Sequence, residues 1–293
     1  MIEAGLEIES NHSEGVKQLF NKVWEARLEK VWNQLDAAGF HPILIKGWAA
    51  AQNYPNPFER EYVDIDLMFD ALEFSQVREY IKTQPLEALV DFHRGARHLD
   101  ELAFADLYKN SILKQCGRTQ IRVLCAEDHL RILCVHWLND GGADSKRLED
   151  VYFAVNNRPA DFDWERCLNI VSAKRRKWVV CAIVLAHKYL DLKIEAIPLT
   201  AQDQQLPKWL TKTVEKEWQS GIRLKPLQNV LHQRTEFWEQ LQKRFLPNPI
   251  QATIETGGAF DNKPRIIYQL ADILKRAYPS LKRIFETYRQ RIN

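Results

Sequence analysis

Cysteines are few in this chain of 293 residues: five in all, Cys116, Cys125, Cys134, Cys167 and Cys181, with no C-x-x-C pair. An odd count without redox or metal-ligand spacing excludes a disulfide framework and reads as buried free thiols in a reducing compartment. Long hydrophobic runs are also absent. The longest, WVVCAIVLA at 178–186, falls well short of the roughly 20 apolar residues that span a bilayer. The opening MIEAGLEIES has neither the basic start nor the apolar stretch of a secretory signal, so the chain reads as soluble and cytoplasmic, with no membrane partner. Charge of one sign is missing as well: 41 Lys and Arg against 39 Asp and Glu leave a formal +2. That balance neither requires nor excludes a nucleic-acid partner, because such binding depends on a local basic patch. Internal repeats and low-complexity tracts are lacking, which excludes solenoids and biased linkers.

What remains is an ordinary globular composition, 45% hydrophobic and 27% charged. The length exceeds the usual single-domain mode of roughly 100 to 150 residues. Asn11, with Glu14 three residues on, is a capping signal, and the apolar stripe from Val16 to Leu35 predicts a long helix stopped near Gly39. His41 to Ile45 reads as a short strand and Trp48 to Asn53 as a short helix, ended by the loop of Pro55 and Pro57. Tyr62 to Phe69 reads as a strand. Asp70 with Glu73 caps a helix over 71–82, and a strand follows from Ala88 to Phe92. A helix is expected over 101–115 and a strand from Gln120 to Leu124. From Glu127 onward the periodicity is helical, over 127–139, 145–156, 163–190 with an interruption, 203–219, 224–244 and 263–291. The expectation is an α+β protein: an N-terminal mixed-sheet domain over 1–125, including the first helix, followed by a mainly helical domain over 126–293.

The chemistry concentrates in ILIKGWAAAQNYPNPFEREYVDIDLMF, residues 43–69. Alternation along a strand puts Asp64 and Asp66 on one face and Val63, Ile65 and Leu67 on the other. Two carboxylates about 7 Å apart along a strand are half of a cage for Mg²⁺, a cation that takes oxygen ligands and keeps water and substrate phosphates in its shell. Outward aspartates are also what a plain solvent-facing strand carries. Their company distinguishes them. Lys46 and Gly47 end one strand and open a helix, where free N–H groups and the helix dipole favour phosphate. A third carboxylate is offered by Val90-Asp91-Phe92-His93, in which Asp91 and His93 share a face. His93 either orients Asp91, contacts substrate, or is a hydrogen-bonded structural residue. Arg60, four residues before Asp64, is either a phosphate contact or a local salt bridge.

This combination of K-G, a Tyr-Pro loop, Arg60, D-I-D-L and V-D-F-H resembles the DNA polymerase beta type nucleotidyltransferase superfamily. It is most similar to the branch of uncharacterised nucleotidyltransferase family proteins. The stretch EDHLRILCVHW, with Arg147 and Asp150, resembles that branch's helical part. The resemblance covers roughly 40–155 and implies that Asp64, Asp66 and Asp91 bind catalytic Mg²⁺, with Asp91 helping to deprotonate the acceptor hydroxyl. It implies that Gly47 touches the NTP triphosphate, ATP foremost, with Lys46 and Arg60 as charge partners. Two departures stand out: Trp48 occupies a position where the superfamily commonly has Gly or Ser, and the interval from Gly47 to Asp64 is long.

The implied activity is transfer of an NMP group from an NTP to an acceptor hydroxyl, on a small molecule, peptide, protein or RNA, with release of pyrophosphate. The rival reading is a non-catalytic binding or regulatory protein, antitoxin-like or pathway-accessory, on the same scaffold. A zinc site at Cys125, His129 and His136 lacks a second ligand pair. The basic, aromatic segment from Asn262 reads first as a packing helix with a wet cationic face, and nucleic-acid binding is not favoured. A kinase is excluded by the missing H-R-D and Gly-rich loops.

Overall fold

The computed structural model describes residues 2–220 and 246–276, and the expected helix over 224–244 and the end of the one over 263–291 lie outside them. The protein is mixed α/β, with one five-stranded mixed sheet. Its contacts divide it into two units, Met1–Leu133 with Glu149–Ser172, and Cys134–Leu148 with Ala173–Asn293. Each is assembled from two stretches of chain.

In the first unit, α1 (Ile2–Ala37) is followed by β1 (Ile43–Leu44), the single turn α2 (Trp48–Ala51), a 3-10 turn at Pro57–Glu59, and β2 (Ile65–Phe69). Then come α3 (Ala71–Thr83), β3 (Val90–Arg94), α4 (Phe104–Asn110), and the hairpin β4 (Ile112–Cys116) and β5 (Thr119–Val123). Helices α5 (Ala126–Asn139) and α6 (Ser145–Asn156) follow, with residues 134–148 belonging to the second unit, and α7 (Trp164–Leu168) completes the run. The spatial order of strands is β3-β2-β1-β5-β4. β2 lies antiparallel to β1 and parallel to β3, while β5 lies parallel to β1 and antiparallel to β4.

Local chemistry accounts for most boundaries. Gly39 has φ +80, and Phe40 N donates back to Leu35 O at 3.0 Å, the left-handed stop that closes α1. Asp70 caps α3 by accepting from Leu72 N at 2.7 Å.

Three expectations are corrected. Helix α1 starts at Ile2 rather than after Asn11, because the Glu, Ala and Leu residues ahead of Asn11 are good helix formers and nothing there stops it. The helix expected over 101–115 ends at Asn110, and Ile112–Cys116 is strand β4. Gly117, at φ +56, opens a two-residue turn between the paired Cys116 and Thr119. Glycine there permits the primed hairpin turn that lets β4 pair with β5, and that pairing outweighs helical propensity. Strand β2 is also shorter than expected: it begins at Ile65, so Asp64 stands just ahead of it.

One sheet face is the core of this unit. Trp24, Leu28, Val31, Trp32 and Leu35 of α1 and Val77 of α3 cluster with Leu44, Ile65, Leu67, Phe69, Ile121 and Val123. Val90 and Phe92 of β3 pack against the same cluster. Period-2 alternation then sends Asp66 and Met68 of β2, and Asp91 and His93 of β3, to the opposite face.

Beyond α7, the second unit contains α8 (Ala173–Leu190), α9 (Lys208–Ser220), α10 (Pro249–Glu255) and a helical stretch at 266–276. The apolar run Trp178–Ala186 is the buried centre of α8, and no described helix is long and apolar enough to cross a membrane. All five cysteines are free thiols; four are buried and Cys125 is half-buried.

Leu28, 1% exposed, holds α1 against the sheet. Leu28→Ala is expected to cost about 2–5 kcal/mol in urea unfolding, with the folded-state circular dichroism unchanged.

Candidate functional site

Parallel pairing of β2 with β3 sets Asp66 opposite Asp91 and Met68 opposite His93. Paired residues share a face, so both carboxylates and the imidazole gather on the side away from α1. His93 Nε2 lies 3.1 Å from Asp66 Oδ1 and 3.1 Å from Asp91 Oδ2. Among the described residues, one donor atom from each of Asp66, Asp91 and His93 lies within 4.8 Å of the others. Asp66 and His93 are buried, whereas the Asp91 side chain is 56% exposed. The group therefore has a floor and an open side.

Lys46 reaches the same place from the end of β1, its Nζ 2.7 Å from Asp66 Oδ1. Burial disfavours ionisation of Asp66, but hydrogen bonds from His93 and Lys46, with their charges, outweigh it and hold the carboxyl below the usual carboxylate range. Asp64 moves the other way. Half-buried, it is raised by desolvation and then by the charge of Asp66, which Lys46 and Arg60 only partly offset. Asp64 does not join the close group of three ligand atoms. It contributes negative field at the rim.

Gly47 has φ 60 and ψ −115, a conformation few other residues tolerate. A Cβ there would lie 3.3 Å from the Asp64 carbonyl oxygen, so glycine allows the Lys46–Gly47 turn to close against the start of β2. The helix that follows, α2, is a single turn with no side-chain cap, and its dipole is correspondingly small. Trp48, the residue after Gly47, is 3% exposed and donates from Nε1 to Glu25 Oε1 of α1 at 2.9 Å. It packs α2 onto the core and leaves the backbone of Gly47 as the feature of this turn suited to an anion.

Arg60 is not aimed at solvent. It is 6% exposed and grips Asp150 of α6 through Nε at 3.0 Å and Nη2 at 2.9 Å. Nη1 donates to the Glu61 carbonyl at 2.7 Å, and Tyr54 Oη donates to Asp150 Oδ1 at 2.8 Å. Asn157 Nδ2 holds the Asn53 carbonyl at 2.7 Å, and the Tyr54 and Phe153 rings lie 4.3 Å apart. Helix α6 thus pins the long segment between Gly47 and Asp64, including its Tyr-Pro turn. Tyr54 and the Arg60 to Asp150 link have no local signal in the sequence, since the partners are 90 residues or more apart.

His129 of α5 hydrogen-bonds the Ile45 backbone, and burial, with the positive charges of Lys114 and Arg60, pushes its imidazole down to about 3. Burial therefore keeps its imidazole neutral.

The donor set fits a divalent cation. Two carboxylates and an imidazole converge, and Asp64 adds charge that a cation would relieve. Lys46 does not block this, because a carboxylate has about four lone-pair sites.

Two outcomes are expected. Asp150→Ala leaves Arg60 buried and unpaired and should cost about 3–5 kcal/mol in urea unfolding; Arg60→Met with Asp150→Leu should be far milder. The second concerns acid. Because the Asp66 carboxyl is depressed from its ordinary 3.8, its stabilisation is complete above that value and is lost as pH falls through the lower folded one. Asp66→Asn should therefore flatten the acid limb of the urea-midpoint profile below about pH 4.

No family model, curated protein or solved structure matches the chain.

Proposed function

We propose that the sheet face bearing Asp66, Asp91 and His93, with Asp64 just ahead of β2, is the active site of a nucleotidyltransferase that depends on a divalent cation, Mg²⁺ or another of its charge and size, and acts on ATP or another NTP. The observation that carries this reading is the in-register pairing of Asp66 with Asp91 on adjacent parallel strands. In the reaction, an acceptor oxygen forms a bond to the α-phosphorus, the bond from that phosphorus to the bridging oxygen breaks, and pyrophosphate leaves. A bound divalent cation supplies charge neutralisation at the phosphates and lowers the pKa of the acceptor hydroxyl.

The chain's own residues do the rest. Asp66 stays ionised, held by Lys46 and His93. Asp91, the exposed carboxylate of the group, is the one an acceptor hydroxyl reaches, and it takes the proton. The Gly47 turn brings backbone against the start of β2, where a phosphate can approach the main chain closely. The Arg60 to Asp150 link keeps the intervening segment in one geometry, so catalysis is mainly positioning and electrostatics. Arg60 acts in this reading as a positioning residue, since its guanidinium is already engaged by Asp150.

A second reading is favoured by a specific observation. Lys46 and Arg60, the cations that the resemblance assigns to a triphosphate, both make internal ion pairs. On a scaffold that has lost catalysis, such pairs would keep the fold and leave the surface for a protein partner.

Incubation with Mg²⁺, each α-labelled NTP and fractionated lysate separates the two. The enzyme reading expects label on one acceptor species, reduced at least about 100-fold in Asp66→Asn and Asp91→Asn, with cooperative thermal unfolding retained. Equal transfer by both variants would sink the assignment, and absence of transfer and of nucleotide binding would favour the scaffold.

A further inference from the structure

We propose that His93 is itself a ligand of the cation at this site, completing the set with Asp66 and Asp91, and that the site therefore prefers a nitrogen-accepting first-row divalent cation of the Mn²⁺ kind to Mg²⁺. This rests on the reading that Asp66 and Asp91 hold a divalent cation. It adds the third donor and the class of ion.

The argument begins with register. β3 alternation places Asp91 and His93 side by side on one face, and pairing with β2 brings Asp66 against both. His93 Nε2 is 3.1 Å from an oxygen of each aspartate. Donors bound at about 2.1 Å to one octahedral ion lie about 3 Å apart, so the nitrogen that hydrogen-bonds Asp66 in the ion-free site already stands at the spacing of neighbouring ligands; on binding, the ion takes the place of the Nε2 proton, which is released to solvent. Asp64 precedes β2 and lies outside this group.

Burial supports the same assignment. Asp66 is 3% and His93 5% exposed, so both are held by packing and lose little freedom on binding an ion, whereas the exposed side of Asp91 leaves open positions for water or phosphate oxygen. Lys46 on Asp66 Oδ1 is the outer partner that orients a ligating carboxylate.

Chemistry then selects the ion. Mg²⁺ takes oxygen donors and dehydrates reluctantly, so an imidazole nitrogen adds little to its binding. Mn²⁺ takes the same carboxylate and water oxygens as Mg²⁺ and, as a first-row transition ion, also binds a nitrogen donor, so a mixed set of two carboxylates and one histidine with open positions suits it better.

The test uses the full chain without nucleotide and then with a non-hydrolysable ATP analogue. Free Mn²⁺ is counted by electron paramagnetic resonance, and the bound ion is examined by electron spin echo envelope modulation for histidine ¹⁴N coupling. The expected result is bound Mn²⁺ with ¹⁴N modulation that survives Asp64→Asn and disappears in His93→Gln. Affinity should fall at least about 10-fold in His93→Gln, and Mg²⁺ should displace Mn²⁺ only in large excess. Should His93→Gln fail to fold, ¹⁴N modulation in the native protein, lost in the Asp66→Asn and Asp91→Asn variants, remains the readout. Bound Mn²⁺ that depends on Asp66 and Asp91 but lacks ¹⁴N modulation, or that equimolar Mg²⁺ displaces, overturns the role of His93 and leaves the carboxylate reading standing. Binding indifferent to Asp66→Asn and Asp91→Asn, or no binding in either condition, overturns both.

Discussion

Pairing of β2 with β3 in parallel, with Asp66 opposite Asp91, is the constraint on which the site depends. Side chains on a strand alternate with a period of two, so a slip of one residue would turn Asp91 and His93 into the core and Val90 and Phe92 out of it. The slip is opposed by apolar packing: Val90 and Phe92 lie against a cluster that already holds Ile65, Leu67 and Phe69, and the Phe69 and Phe92 rings are 5.8 Å apart. Hydrophobic burial on one face of the sheet thus sets the polar geometry on the other.

That arrangement concentrates charge where water is scarce. Asp66 is buried, and without Lys46 and His93 its ionised form would be strongly disfavoured. With them it is the more acidic carboxylate, and its charge in turn helps raise Asp64. Neighbouring carboxylates pushed in opposite directions are a recurrent property of sites that handle charge. The contrast between Asp66 and Asp64 therefore arises from which of them the cations reach.

Much of the local structure was legible from residue type. The Asp70 cap, the Gly39 stop and the alternation of β3 depend on interactions within a few residues and appear where the pattern places them, whereas the apolar stripe of α1 is buried only from Trp24 to Leu35, with Val16, Leu19, Phe20 and Val23 exposed. Strand β5 lies close to where the pattern places it, whereas Ile112–Cys116 continues the helical pattern of α4 and becomes β4 because the partner strand decides between the two. Each unit takes two separate stretches of chain, so which stretches pack together is decided by contacts between segments distant in sequence.

For the site, the sequence by itself determined the candidate chemistry: three aspartates, a histidine, a lysine and a glycine in strands and turns whose alternation predicts their faces. Tertiary structure alone decided who meets whom. It set Asp91 and His93 beside Asp66, left Asp64 outside the close group, buried Trp48 against Glu25, and gave Arg60 to Asp150. The reason is physical. Alternation and capping are short-range and written in adjacent residues, whereas strand neighbours and buried ion pairs are chosen by packing between segments distant in the chain.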